Sequence, residues 1–351
     1  MPLTNAAGAP PEVILDRFVR TTLCREPGCS GYLGKLDIDK VVSDSFRSLL
    51  HLLHRTMNEA LQLEGPNASA GVQHPPFHFD YLDVNDGTEN AHAFEEQKLA
   101  FIVVTLPIVE LVASLSLRLV PFVPDLFGLD SSGTERDPLW GLLSQILLNF
   151  VVAHEYTHHI HRHCGPMRGV SGVWTESANG AYIAGIVTQA QELDADGYAA
   201  MLVLTHLVRG ERRDSALQVL GKVPPVALVE SDELLIRCFL LMVMTFLCKY
   251  WPTDFAAEEI TKRAHPPAPM RIQSLINVTE MWCNENQSPA KSWRMSRELR
   301  KMFDAAKLAS GREDTAEWSA HIRLLESPAY AEYRERLLEA FDELRRNSPG
   351  R

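Results

Sequence analysis

The stretch Leu139 to His158, LWGLLSQILLNFVVAHEYTH, decides how this chain is read. Its first fourteen residues are an apolar run that leads straight into His154-Glu155-Tyr156-Thr157-His158, the pattern H-E-x-x-H. On a helix, positions i and i+4 lie on one face, so both imidazoles can point at one metal ion. Glu155 follows the first histidine, where a carboxylate can take a proton from water held by the metal. The apolar lead-in predicts a mostly buried helix that the histidines extend. Residue types and spacing together point to a zinc site with a built-in general base, and so to a metallopeptidase.

Such a site needs a third ligand. Residues 185–204 carry Ile186, Ala190, Leu193, Gly197, Ala200 and Met201 at helical spacing, so Glu192 and Asp196 share a face of a second helix. A carboxylate from that helix completes three protein ligands and leaves a fourth position open, the arrangement of catalytic rather than structural zinc. The intervening stretch is long enough for a return loop and an antiparallel neighbour. Its glycine-rich part, Cys164 to Gly180, is either a lid over the site or a plain connection.

Composition narrows the class. A chain of 351 residues with 46% hydrophobic content can bury a full core in one large domain or two modest ones. A formal charge of -11 argues against nucleic-acid binding through a general basic surface. The six cysteines (Cys24, Cys29, Cys164, Cys238, Cys248, Cys283) follow no regular framework, and the start lacks the basic and apolar regions of a signal peptide. A reducing, cytoplasmic setting is therefore expected. A membrane span needs about twenty clean apolar residues. Residues 100–120 contain Pro107, Glu110 and Arg118, and residues 234–248 contain Arg237, so both are expected to be core elements and membrane association is not expected.

Along the chain, residues 13–19 and 43–63 are expected to be helical, the second with Leu49, Leu50, Leu52, Leu53, Met57 and Leu61 as its apolar stripe. His51 and His54 beside that stripe are taken as packed or surface residues. Residues 66–76 look like a turn-rich linker. Residues 77–84 alternate and predict a strand, and the β-branched 100–105 a second. Helices are expected over 108–119, 212–220, 234–250 and through the charged, amphipathic 293–347. The predicted fold is α+β and predominantly helical, with a small mixed sheet and helical extensions. The expected regions are an N-terminal helical one (1–75), a peptidase core (76–285) and a C-terminal helical extension (286–351).

Taken in order, Asn90-Ala91-His92-Ala93-Phe94, the strand Phe101 to Thr105, His154 to His163, Glu192-Leu193-Asp194-Ala195-Asp196, His265-Pro266-Pro267 and Arg271-Ile272 resemble the gluzincin peptidases of the CAAX-prenyl-protease and HtpX-like group. The resemblance covers residues 90–272. A more distant similarity is to the Lit-type phage-exclusion peptidases. The resemblance implies a zincin-like core, with His154, His158 and Glu192 as zinc ligands and Glu155 as general base. It implies Asp196 holding a ligating imidazole by its other nitrogen, with Asp194 left open as another such group. His265 and Arg271 would face the cleft and stabilise the oxyanion. Two departures stand out. His92 interrupts the N-A-F stretch, and the long transmembrane helices of that group have no counterpart, so a prenylated or membrane-embedded substrate is not expected.

His159 follows His158 by one position and cannot share the metal face. His161 and His163 are taken as helix-end histidines, although His163 matches a family position. The expected reaction is hydrolysis of a peptide bond in a protein or peptide substrate, with the strand Phe101 to Thr105 available to pair with an extended chain. The competing expectation is a catalytically silent metal-binding scaffold with the same fold. Hydrolysis of a non-peptide amide is a third. Substrate, cleavage preference, regulator and oligomeric state are not written in the sequence.

Overall fold

The computed structural model describes residues 9–26, 28–64, 74–129, 135–163, 174–175, 185–222, 227–250, 265–290, 296–312 and 326–347. The linker expected over 66–76 and the lid or connection expected over Cys164 to Gly180 lie largely outside them. The fold is α+β, predominantly helical, with a small mixed sheet. It divides into two compact units: residues 1–111, 154–184 and 341–351 form one, and residues 112–153 and 185–340 the other.

The first unit is built on a sheet of order β1-β2-β4-β3-β5, with β1 at Tyr32–Lys35, β2 at Phe77–Val84, β3 at Ala91–Glu96, β4 at Leu99–Thr105 and a two-residue β5 at Trp174–Thr175. β4 runs parallel to β2 and antiparallel to β3. The β3–β4 hairpin closes on Gln97 and Lys98, both at positive φ (49° and 64°), as the tight two-residue turn matching strand twist requires. Every residue of β4 is buried. A strand covered on both faces has no polar side to present, which is why its sequence is one β-branched run rather than an alternation.

One expectation fails here. β2 occupies one edge of β4 over Ala100 to Thr105 and β3 the other over Leu99 to Val104, so β4 has no open edge for a substrate strand. The continuous apolar run that marked the segment as a strand is the signature of an interior one.

Helix α1 (Pro11–Thr21) lays Ile14, Leu15, Phe18 and Val19 on the sheet, where Phe18 stacks on Phe94 and Phe94 on Phe101, with ring centroids 4.5 and 5.3 Å apart. Helix α2 (Asp44–Glu64) lies along β2, where β1 pairs only with Leu82 to Val84. There the Asn58 side chain takes the place of a neighbouring strand: its amide donates to the Phe79 carbonyl and accepts from the Phe79 N–H, both at 2.9 Å. Residues His154 to Ile160, the end of a helix that begins at Arg136, also belong to this unit. Tyr156 and His159 pack against Phe77.

His159 is fully enclosed, and its Nε2 lies 2.9 Å from the Phe101 carbonyl, so Nε2 carries the proton and donates it. Burial pushes its pKa down to about 4. Between that value and the ordinary 6.5, the unfolded chain binds a proton that the folded chain refuses. The fold therefore loses on the order of 3 kcal/mol as pH falls through this window. His159→Gln keeps a donor for Phe101 without a titrating ring. Its urea midpoint is expected to fall less steeply from pH 6.5 to 4 than that of the wild type. Parallel slopes would refute the assignment.

The second unit is helical. Its elements are α3 (Leu106–Leu119) from Val112 on, α4 (Val123–Phe127), α5 (Arg136–Ile160) up to Ala153, α6 (Ile186–Arg209), α7 (Arg213–Val219), α8 (Leu228–Lys249), α9 (Ala268–Glu285), α10 (Ser296–Ser310) and α11 (Pro328–Asn347) up to Ala340. α8 is buried on nearly every side, with α6, α9 and α10 packed on it, as its all-round apolar sequence demands. Asp232, fully buried near its start, takes a two-pronged bond from Arg209 and one from the Ser288 hydroxyl. Among the described residues, no helix is long and apolar enough to cross a membrane. Nor do they hold a disulfide, the five described cysteines being free.

Candidate metal centre

From Phe150 to Ile160, α5 is buried almost throughout, and its polar residues are enclosed with its apolar ones: His154 is 1% exposed, Glu155 and His158 0%. Polar groups are removed from water this way only where partners or an ion repay the lost hydration. With about 3.6 residues per turn, His154 and His158 project about 40° apart, and Glu155 sits about 60° to the side of His158. The two histidine Nε2 atoms face each other at 3.0 Å. Two imidazole lone pairs cannot meet at that distance without a positive centre between them, either a proton or a metal ion. Nitrogens on a tetrahedral zinc at 2.0–2.1 Å would stand about 3.3 Å apart. The observed 3.0 Å is a hydrogen-bond distance, about 0.3 Å short of that spacing.

The end of α5 sets the other nitrogen of His158. After Ile160 the chain turns left-handed at Arg162 (φ 58°), with His163 N–H bonded to the His158 carbonyl and Arg162 N–H to the His159 carbonyl. This pair of bonds is the Schellman closure of a helix, here with arginine where glycine is usual. It folds His163 back so that its Nδ1 lies 3.0 Å from Nδ1 of His158. A proton on the His158 side of that bond leaves His158 Nε2 as a lone pair, the tautomer a metal needs. His163 was expected only as a helix-end histidine. Spacing along a continuous helix concealed its role, because the chain has left the helix before reaching it.

In the second unit, the sequence Gln191-Glu192-Leu193-Asp194-Ala195-Asp196 is buried throughout on α6. Two carboxylates of this face are held by residues at and just before the start of α9. His265 Nδ1 lies 2.8 Å from Glu192 Oε2, and Arg271 donates from Nε and Nη2 to the two oxygens of Asp196 at 2.7 and 2.8 Å. Pro267 caps α9, and the Pro266-Pro267 pair sets its entry. The resemblance implied other duties for three of these residues. Asp196, expected behind an imidazole, pairs with Arg271. Arg271 and His265, expected to stabilise an oxyanion, are engaged with Asp196 and Glu192.

His154 and His158 in the first unit and Glu192 in the second are all buried, and all three have side chains of a type that ligates metal. Family models, curated proteins and solved structures give no match to this chain. The donor atoms themselves therefore carry the functional argument.

His265 contacts Glu192, so if Glu192 is a metal ligand, losing His265 should be felt as looser metal rather than as a broken fold. In that case His265→Ala is expected to weaken metal retention about 10- to 100-fold, the usual effect of removing a group that orients a ligand. Competition with a chromophoric chelator measures this. Unchanged affinity would show that Glu192 needs no such support.

Proposed function

We propose that this chain is a zinc-dependent endopeptidase of the gluzincin type, with a zincin-like core in which His154, His158 and Glu192 hold the metal. The observation that carries the proposal is the pair of buried histidine Nε2 atoms 3.0 Å apart, with the enclosed Glu155 on the same helix; Glu192 is the third ligand that the family resemblance implies. Two imidazoles and a carboxylate suit zinc, and three protein ligands leave room for a reactant. When bound, zinc supplies Lewis acidity, polarising a scissile carbonyl and making water a usable nucleophile near neutral pH.

The remaining steps belong to the protein. Glu155 takes the proton of the attacking water as the new C–O bond forms, then passes it to the amide nitrogen as the C–N bond breaks. The products are a carboxylic acid and an amine, and Glu155 returns to its starting state. His163 selects the His158 tautomer from outside the ligand set. His265 orients Glu192, and the Asp196–Arg271 pair fastens the helix that bears it. His265 and Arg271 are thus proposed as positioning residues. The substrate proposed with it is a protein or peptide, as the family resemblance implies.

The test is metal analysis of the purified chain together with cleavage of a peptide library. Stoichiometric zinc and metal-dependent cleavage are expected. A zinc-loaded chain that cleaves no peptide would overturn the enzymatic part of the proposal.

A further inference from the structure

His54, which the sequence presents as a packed or surface residue, has a different setting in the fold. It lies on α2, one helical turn before Asn58, the residue whose amide clasps the Phe79 backbone and so registers α2 on the edge of β2. On β2, His78 and Asp80 are two residues apart and project to one face. The clasp brings the helix histidine to the strand pair. His54 Nε2 lies 3.7 Å from Asp80 Oδ1, and His78 Nε2 lies 3.4 Å from Asp80 Oδ2.

Those distances decide what the group is built for. Asp80 is completely buried, and a buried carboxylate calls for short, charge-assisted bonds of about 2.7–2.9 Å. Among the described residues, its one bond in that range comes from the Tyr81 N–H at 2.9 Å. The Lys35 ammonium stands off at 3.6 Å, and both imidazoles are as far. Ligand atoms around a tetrahedral ion at about 2.0–2.1 Å lie about 3.3 Å from each other, so separations of 3.4 Å, the long limit of a hydrogen bond, and 3.7 Å leave room for a shared cation.

We propose that His54, His78 and Asp80 form a second binding site, for a divalent transition-metal cation. Two imidazole nitrogens and one carboxylate are the donor set of zinc, iron(II) or cobalt(II), not of magnesium or calcium, which take oxygen. The site belongs wholly to the first unit and shares no residue with the H-E-x-x-H group. His78 and Asp80 form its buried floor, while the His54 side chain is 29% exposed and that of Lys35 26%, which gives a cation a way in. Lys35 supplies the positive charge that the cation displaces. Bound there, the ion ties α2 to the sheet edge beside the Asn58 clasp.

The test uses the full-length chain, stripped with a chelator and refilled with zinc or cobalt(II), with bound equivalents counted by elemental analysis. His54→Ala is expected to bind one equivalent less than the wild type, with a fall in affinity beyond about 100-fold at this site and loss of part of the metal-dependent rise in melting temperature. His51→Ala, an exposed neighbour on the same helix, should bind as the wild type does. His78→Ala should repeat the loss. Should that buried change prevent folding, the rim substitution at His54 still decides. In a His154→Ala/His158→Ala background, the equivalent sensitive to His54 should remain, which separates this site from the proposed catalytic one. An unchanged count in His54→Ala, or equal losses in His51→Ala and His54→Ala, would overturn the proposal.

Discussion

Glu155→Gln is expected to lower peptide hydrolysis by about 10²–10⁴-fold, the usual range for removing a general base, while zinc content stays at the wild-type level. On the rate scale this is a barrier increase of about 3–5 kcal/mol. The glutamine is nearly isosteric, so the enclosed end of α5 should keep its packing and both histidines their positions. What changes is the capacity to accept a proton. Measured kcat and metal content, taken on the same preparation, separate the two possible causes of inactivity. If cleavage falls because zinc is lost, Glu155 is a support of the site. If cleavage persists with zinc in place, the base lies elsewhere. If the chain retains a binding function and never cleaved a peptide, it is the silent scaffold.

Arg271→Ala carries the largest expected effect on stability. Arg271 is nearly buried and Asp196 entirely so, and the two-pronged bond joins α6 to the first turn of α9. Removing the guanidinium takes the two-pronged partner from a buried carboxylate, and breaking such a buried pair typically costs about 3–5 kcal/mol. That is a large fraction of the roughly 5–15 kcal/mol that holds a typical domain. Replacing both partners at once, with Asp196→Leu and Arg271→Met, should recover much of the loss, since no charge is then left alone. Urea unfolding of the three variants measures the effect. A normal unfolding midpoint in Arg271→Ala with kcat alone reduced would instead place the guanidinium at the reacting carbonyl, as the family resemblance implies.

Much of the fold was legible locally. The apolar run before His154 predicted a buried helix, and the structure encloses α5 through Ile160. The alternation over Phe77 to Val84 marked β2, which has those limits. Three strands escaped notice for physical reasons, and one of them, β5, is only two residues long. β1 is four residues long and contains Gly34 at φ 140°, and β3 reads Ala-His-Ala-Phe-Glu-Glu, with little β-branching to announce it. β3 is a strand because a two-residue turn folds it onto β4, a pairing that lies outside its own composition. The site shows the same division. H-E-x-x-H and the acidic face of α6 have helical spacing, so their residues could be listed. His163, His265 and the Asp196–Arg271 pair depend on a left-handed turn and on an approach between helices, and no sequence period encodes either.

The sequence alone determined which groups could do chemistry: spacing along a helix is a local property, set by a hydrogen-bond repeat that every residue shares. It placed His154 and His158 on one face, and Glu192 and Asp196 on another. Only the tertiary structure decided which neighbour each group meets. It gave Asp196 to Arg271, His265 to Glu192, His163 to His158, and His54 to Asp80. His163 reaches His158 through the local turn that ends α5; the other partners are chosen by packing between elements distant along the chain, where burial makes a charge too costly to leave uncompensated and so selects the residue that compensates it.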